Sequence, residues 1–197
     1  IGFAAVSLFG PTAKRLQDIM GLTPTMVGFL VAMPSLSGSL LRIPFAAWVD
    51  TTGGRKPILT LLAISILGMG GLTGLMLLRY PDGMSASLYP LLLGLGLLSG
   101  CGIATFAPGT SQVSYWFPQR RQGAALGTYA GVGNLAPGLF SLVLPFALAA
   151  LGLPVAYVCW FVLLVAGTVL YFFIGRNSWY FQAMRQGADR EQARTLA

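Results

Sequence analysis

Residues 154–175 have the sequence PVAYVCWFVLLVAGTVLYFFIG, an apolar stretch without a charged side chain. A helix that crosses the hydrocarbon core of a bilayer needs roughly 20 predominantly apolar residues. Since no water reaches that core, a spanning segment must pair its own backbone N–H and C=O groups, which a helix does. This stretch therefore predicts a transmembrane helix.

Similar stretches fill the chain on the N-terminal side of this one. Gly152-Leu153-Pro154 predicts a minimal hairpin between two adjacent spans. Six spans are predicted, over residues up to about Thr12, 24–49, 57–78, 88–116, 123–150 and 154–175. Because Ile1 already lies inside an apolar segment, we expect a fragment whose first span lacks its beginning. The predicted domains are a six-helix bundle over residues 1–175 and a tail or linker over residues 176–197.

The composition agrees with a membrane protein and disfavours other classes. Only 9% of the residues are charged, whereas soluble domains average about 25%. The net charge of +7 does not indicate nucleic-acid binding, because the basic residues fall between apolar runs. The chain has no histidine, and its two cysteines, Cys101 and Cys159, lie inside apolar runs. We therefore predict no metal, no cofactor and no enzymatic activity.

The basic residues predict the orientation of the spans. Eight lie in the connections after spans two and four and in the tail: Arg55, Lys56, Arg120, Arg121, Arg176, Arg185, Arg190 and Arg194. Three lie on the opposite side: Lys14, Arg15 and Arg79. The positive-inside rule places the larger set, and hence the C-terminal tail, in the cytoplasm.

Arg42 is the remaining basic residue, and it lies well inside span two. It is eight residues from Asp50, roughly 12 Å at helical rise. A charge near the bilayer midplane costs at least ~2.5 kcal/mol, and no acidic residue lies within a predicted span. We predict that Arg42 binds an anion in a central cavity. The alternative is that backbone carbonyls, water or a carboxylate on a missing segment satisfies it.

Span five has a face of small residues. Gly127, Gly131, Asn134 and Gly138 are spaced four, three and four residues apart, so they share one side of a helix. Spacing alone favours a packing seam in which Asn134 bonds to another helix. The alternative is a surface that a ligand approaches closely. In span four, Phe106 precedes Pro108, and a kink there could turn the ring into a cavity.

The connection Asp50-Thr51-Thr52-Gly53-Gly54-Arg55-Lys56 resembles the signature between helices two and three of the major facilitator superfamily. Residues 34–44, PSLSGSLLRIP, resemble the second helix of its nitrate/nitrite porter family, including the substrate arginine. Residues 130–135, AGVGNL, resemble that family's nitrate signature. Residues 105–107, TFA, resemble the fourth-helix stretch whose phenylalanine stacks on the anion.

The resemblance implies a role for each matching residue. Arg42 would bind the anion, Phe106 would stack on it, and Asn134 with Gly131 and Gly133 would shape the site. In the signature connection, the four matching residues would help to hold the cytoplasmic gate: Asp50, Gly53, Arg55 and Lys56.

The resemblance also implies an architecture and an activity. The fold would be an all-α membrane protein, the N-terminal six-helix half of a twelve-helix transporter, with the C-terminal half as a missing partner. It would carry nitrate and/or nitrite through the inner membrane by alternating access, as a nitrate/nitrite antiporter or by proton-coupled uptake. Without an acidic residue or histidine in the spans, the chain favours exchange slightly. The alternatives are a transporter of another small anion or a non-transporting six-span partner subunit.

Overall fold

The computed structural model describes residue 2, residues 9–189 and residues 191–192, and these residues form helices and turns without a β-strand. The α-helices are α1 (Phe9–Met20), α2 (Pro24–Leu40), α3 (Arg42–Thr52), α4 (Arg55–Arg79), α5 (Tyr89–Gly100), α6 (Phe106–Trp116), α7 (Gln119–Ile174) and α8 (Trp179–Arg185). Two 3₁₀ segments, Ala86–Leu88 and Cys101–Thr105, flank α5.

Four helical stretches within the described residues are long and apolar enough to cross a membrane: Pro24–Thr52, Arg55–Arg79, Ala86–Trp116 and Gln119–Ile174. The first three coincide with predicted spans two to four. Large apolar side chains of the four stretches point outward; Leu78 is 83% exposed, Ile43 80% and Phe173 74%. Such a large apolar surface is the surface of a protein that lipid solvates. The prediction of an all-α membrane protein is confirmed at this level.

The longest stretch, α7, bends at Gly152. Its 56 residues would extend about 84 Å as one straight helix, far more than the roughly 30 Å hydrocarbon core. Gly152 has φ 76° and ψ 170°, which glycine adopts without steric cost. The residue divides α7 at the predicted hairpin, and each part exceeds the length that one crossing needs.

Helix α1 continues beyond Thr12, where the first span was predicted to end. Thr12, Leu16 and Met20 are buried, whereas Lys14 and Arg15 are exposed. The buried side chains follow one helical face, so packing against the bundle keeps the helix intact as far as Met20. Residues 3–8 of the predicted span lie outside the described residues.

The main core lies between α4, α5 and the part of α7 after Gly152. Leu72, Leu92 and Leu164 are completely buried there. Tyr157 is also fully buried; its backbone carbonyl accepts from the Thr73 hydroxyl at 3.4 Å. These contacts fix the sixth predicted span against the third.

A second packing feature, the glycine crossing, joins α2, α4 and α5 through Gly38, Gly68 and Gly100. A Cβ at Gly100 would overlap the backbone of Pro34, and one at Gly68 would overlap the Ser99 amide nitrogen. A Cβ at Gly38 would lie 2.6 Å from the Ile103 Cβ. The helices therefore approach so closely that only glycine fits at these three positions.

Candidate functional site

Arg42 lies where the second span is interrupted. Leu41 has φ −74° and ψ −11° and separates α2 from α3, and its N–H bonds to the Ser37 carbonyl at 3.1 Å. Pro44 has no N–H, so the Leu40 carbonyl lacks its donor in the helical ladder. The helical ladder thus lacks one hydrogen bond, that of the Leu40 carbonyl, in the turn that carries Arg42.

The Arg42 side chain is half-buried, and its Nε is buried without a hydrogen-bond partner among the described residues. A buried donor without an acceptor costs about 1–3 kcal/mol, and more when it is charged. The guanidinium is always protonated and offers five N–H donors in one plane. An oxyanion is the group that would satisfy this donor and the charge together.

Phe106 begins α6, directly after the Cys101–Thr105 3₁₀ segment. Its ring stacks on Tyr129, with 5.3 Å between the ring centroids and 30° between the planes. The Tyr129 hydroxyl donates to the Phe106 carbonyl at 3.2 Å. One turn after Tyr129, a Cβ at Gly133 would lie 3.1 Å from the Phe106 Cε2. The structure therefore brings Phe106 and Gly133 together, and Gly133 leaves room for the ring.

A cavity of about 340 Å³ lies behind this aromatic pair. Thr105, Gly109, Gln112, Tyr129 and Tyr171 are among its lining residues, whereas Arg42 and Phe106 do not line it. The Tyr171 hydroxyl donates to the Gln112 Oε1 at 3.0 Å, and the Gln112 Nε2 donates to the Arg176 carbonyl at 2.7 Å. Since Arg42 and Phe106 are absent from its lining, this cavity is separate from the predicted anion site.

The small-residue face of span five, here called the glycine face, consists of Gly127, Gly131, Asn134 and Gly138 on α7. All four residues are exposed. A Cβ at any of the three glycines would meet no atom within 4 Å among the described residues. The predicted packing seam is therefore not formed within this part of the chain. Arg42 lies on α3, which packs against α6 rather than beside the glycine face.

The signature connection is held by Asn177, from the polar segment after α7. Gly53 has φ 79°, and a Cβ there would lie 2.5 Å from the Asn177 Cγ. The Asn177 Oδ1 accepts from the Arg55 N–H at 2.9 Å, and its Nδ2 donates to the Thr52 carbonyl at 3.1 Å. Because the Asn177 side chain is buried, it takes the place of water as the hydrogen-bond partner of both backbone groups.

The charged side chains of the connection have partners outside it. The Tyr115 hydroxyl donates to the Asp50 Oδ1 at 3.1 Å. The Arg55 Nη2 donates to the Phe172 carbonyl at 2.7 Å, and Lys56 is exposed. Two of the three charged side chains of the connection are thus bonded to residues near the ends of α6 and α7. Arg190 and Arg194 of the predicted basic set lie outside the described residues.

Sequence reasoning missed Tyr129 and Asn177. Tyr129 carried a signal, because it lies four residues before Gly133 and therefore on the same face of the helix. Asn177 carried none, because a lone asparagine in a polar tail has no periodicity to place it.

Comparison with known proteins identifies relatives of the chain. A model of the Major Facilitator Superfamily matches residues 1–182. The nitrate/nitrite transporter NarU of Salmonella typhimurium is 33% identical over 149 residues, which is 75% of this chain and 31% of that protein. NarU of Escherichia coli is 31% identical over 149 residues, again 75% of this chain and 31% of that protein. The probable nitrate transporter NarT of Staphylococcus epidermidis is 27% identical over 179 residues, 88% of this chain and 42% of that protein.

The chain spans about a third to two fifths of the length of these curated relatives. The match to the superfamily model extends from span one into α8. It includes the Asp50–Lys56 connection, whose backbone turn the structure shows at Gly53. The chain belongs to the major facilitator superfamily, whose members are transporters and not enzymes.

Proposed function

We propose that the chain is the N-terminal six-helix half of a nitrate or nitrite transporter that works by alternating access. The names of the NarU and NarT relatives support the substrate. The relatives are longer than this chain. Their additional length supports a second half, which would close the transport path. In this proposal α1 is the end of the first span, and Gly152 divides α7 into the fifth and sixth.

The orientation in the proposal follows from charge. Arg55, Arg120 and Arg176 lie at one end of the spans, and Arg79 lies at the other end of α4. By the positive-inside rule, the larger basic set and residues 176–197 are cytoplasmic. The proposed location is the inner (plasma) membrane. Residues 1–175 then form the transmembrane bundle.

The unpartnered Nε of Arg42 is the observation on which the proposal rests. Nitrate is planar, with its charge shared among three oxygens. A guanidinium can give it two parallel N–H···O bonds, whereas a lysine ammonium acts as a point charge. The apolar span around Arg42 supplies no anion of its own, so the transported anion would fill this role.

The other predicted site residues fit this proposal in different degrees. Phe106 and Gly133 touch across the α6–α7 contact, which would position an aromatic face beside the anion. Asn134 and Gly131 are exposed on the glycine face, where the amide would meet an anion only after a second half covers that face. We therefore propose that the described residues provide one wall of the site.

The Asp50–Lys56 connection would act at the cytoplasmic gate. It joins span two, which contains Arg42, to span three, which contains Gly68 of the glycine crossing. Through Asn177 and Tyr115 it is also bonded to segments from spans four and six. A movement of the gate would therefore be transmitted to the rest of the bundle as a unit.

The test is the Arg42→Lys variant of the intact transporter, assayed for [¹⁵N]nitrate uptake in membrane vesicles. We expect uptake to fall by at least about tenfold, since a hydrogen bond to a charged group contributes roughly 1.5–3 kcal/mol. Arg79→Lys is the matched control, because it makes the same exchange at an exposed arginine at the C-terminal end of α4. Unchanged uptake in Arg42→Lys at normal protein levels would exclude the proposed anion site.

The same vesicles separate substrates and coupling. Competition by nitrite but not by formate or acetate supports the nitrate/nitrite assignment, and equal competition by carboxylates would point to another small anion. Vesicles loaded with nitrite and vesicles with only a proton gradient distinguish exchange from proton-coupled uptake.

A further inference from the structure

A basic pocket lies at the end of the bundle where α4 begins and α7 ends. Arg55, Arg176, Asn177, Gln182 and Arg185 line its volume of about 270 Å³. Three of the five lining residues are permanently cationic, and the lining contains no carboxylate. A concave site with this charge favours a multiply bonded oxyanion.

Arg55 has hydrogen-bonding capacity left for such an anion. One of its terminal nitrogens donates to the Phe172 carbonyl at 2.7 Å. Its Nε is buried and has no partner within the described part of the chain. Asn177, in contrast, uses both side-chain polar atoms on Arg55 and Thr52. Among the described residues, the Arg55 Nε is therefore a donor without an acceptor in this pocket, beside the exposed Arg176 and Arg185.

An apolar groove of about 550 Å³ runs along the outer surface between α4 and the last turns of α7. It is lined by Leu59, Ala63, Thr168, Val169, Phe172 and Phe173. The one polar side chain in that lining, Thr168, donates its hydroxyl to the Leu164 carbonyl at 2.7 Å. The groove therefore presents hydrocarbon and no free polar group.

The pocket and the groove meet at Arg55 and Phe172. The Arg55 Cζ lies 5.4 Å from the centroid of the Phe172 ring, over its face. Arg55 lines the pocket and Phe172 lines the groove, so a cationic site continues directly into an apolar channel. One molecule that fits both must have an anionic head and a hydrocarbon tail.

We propose that an anionic phospholipid occupies this composite site, with its phosphate among Arg55, Arg176 and Arg185 and an acyl chain in the groove. The headgroup gains charge-assisted hydrogen bonds from guanidinium groups. A zwitterionic headgroup would bring a cation toward three arginines, which opposes binding. Basic pockets between transmembrane helices are a recurrent form of anionic-lipid site. The proposal does not depend on which anion the protein transports.

Lipid binding to the delipidated, full-length protein tests the proposal. Phosphatidylglycerol and phosphatidylcholine of identical acyl chains are titrated, and bound lipid is counted by native mass spectrometry. We expect phosphatidylglycerol to bind the unmodified protein more tightly than phosphatidylcholine. The double variant R176Q/R185Q should lose about thirtyfold in phosphatidylglycerol affinity, since it removes two of the basic residues that attract an anionic lipid.

The matched control is Arg120→Gln, which removes an exposed arginine at the same end of the spans but outside the pocket. It should keep its phosphatidylglycerol affinity. Arg176 and Arg185 are exposed, and an unfolding temperature equal to that of the unmodified protein verifies that the double variant folds. Equal affinity in R176Q/R185Q and Arg120→Gln overturns the assignment of the pocket.

A second variant tests the groove. Ala63→Phe places a ring in the apolar channel and leaves the three arginines intact. We expect weaker phosphatidylglycerol binding and no change for sn-glycerol 3-phosphate, which has the phosphate and no acyl chain. If glycerol phosphate binds as tightly as phosphatidylglycerol, the site is one for a soluble phosphate anion and the lipid proposal fails.

Discussion

The glycine crossing and the glycine face use the same residue for opposite purposes. At Gly100 the space of a missing side chain is filled by the backbone of Pro34, which belongs to another span of this chain. At Gly131 the same space is empty among the described residues. A pattern of small residues thus indicates close approach, but the partner can lie inside the chain or outside it.

The contrast has a physical basis in how membrane helices associate. Lipid tails are as apolar as leucine, so helix contacts depend on close packing and polar bonds rather than on the exclusion of water. The crossing uses that packing to hold α2, α4 and α5 together. At the glycine face the space is open beside the exposed Asn134, and in our proposal a second half approaches it. Three predictions test the contrast, from the largest effect to the smallest.

Gly100→Ala should cause the largest loss of stability. The new methyl group would overlap backbone atoms of Pro34, which cannot turn aside as a side chain can, so α2 and α5 must separate. Overpacking of this kind costs about 1–3 kcal/mol and sometimes more. The unfolding midpoint in detergent, followed by size-exclusion chromatography after heating, measures it.

Gly94→Ala is the control on the same helix. Its Cβ would meet no atom within 4 Å among the described residues, so it should be neutral or stabilising by up to about 1 kcal/mol. Equal midpoints for Gly94→Ala and Gly100→Ala would mean that the crossing is not as tight as described.

Gly133→Ala should have an intermediate effect. Its methyl group would lie 3.1 Å from the edge of the Phe106 ring, and the ring would shift against Tyr129. We expect the variant to be about 1 kcal/mol less stable than Gly131→Ala. Adding Phe106→Leu should remove the difference between the two alanine variants, as a double-mutant cycle would show. A difference that persists without the ring would place its cause elsewhere.

Gly131→Ala should be the least destabilising of the three, with a gain of roughly 0.5–1 kcal/mol, because alanine favours the helix and the space beside it is open. If the glycine face meets substrate or a second half, as proposed, the variant should nevertheless lower nitrate uptake severalfold. Gly123→Ala on the same helix, whose Cβ also meets no atom within 4 Å among the described residues, provides the control. Full uptake by Gly131→Ala would show that nothing approaches this face closely.

The sequence predicted those parts of the fold that depend on local patterns. Apolar runs located the spans near Pro24 and Arg55, and Gly152 marked the hairpin because its neighbours Leu153 and Pro154 also favour a turn. The end of α1 was missed, since Lys14 and Arg15 suggested the end of a span although Leu16 and Met20 continue its buried face. Local pattern does not reveal packing from a distant helix.

The candidate site was predictable in the same limited way. Arg42 was found because a charge in an apolar span is costly wherever it points. The family resemblance assigned Phe106 and Gly133 to one site without predicting their contact. It gave no partner for Gly100, because Pro34 is 66 positions away in the sequence. Pairings over such separations are set by the whole bundle.

Asn177 has a mechanical consequence. Its amide holds the Thr52 carbonyl and the Arg55 amide at once, while Tyr115 stacks on Tyr180 of α8 with 5.5 Å between ring centroids. We therefore expect the Asp50–Lys56 connection and α8 to move together. A spin label or fluorophore on the exposed face of α8 would report on the motion of that connection without a substitution in it.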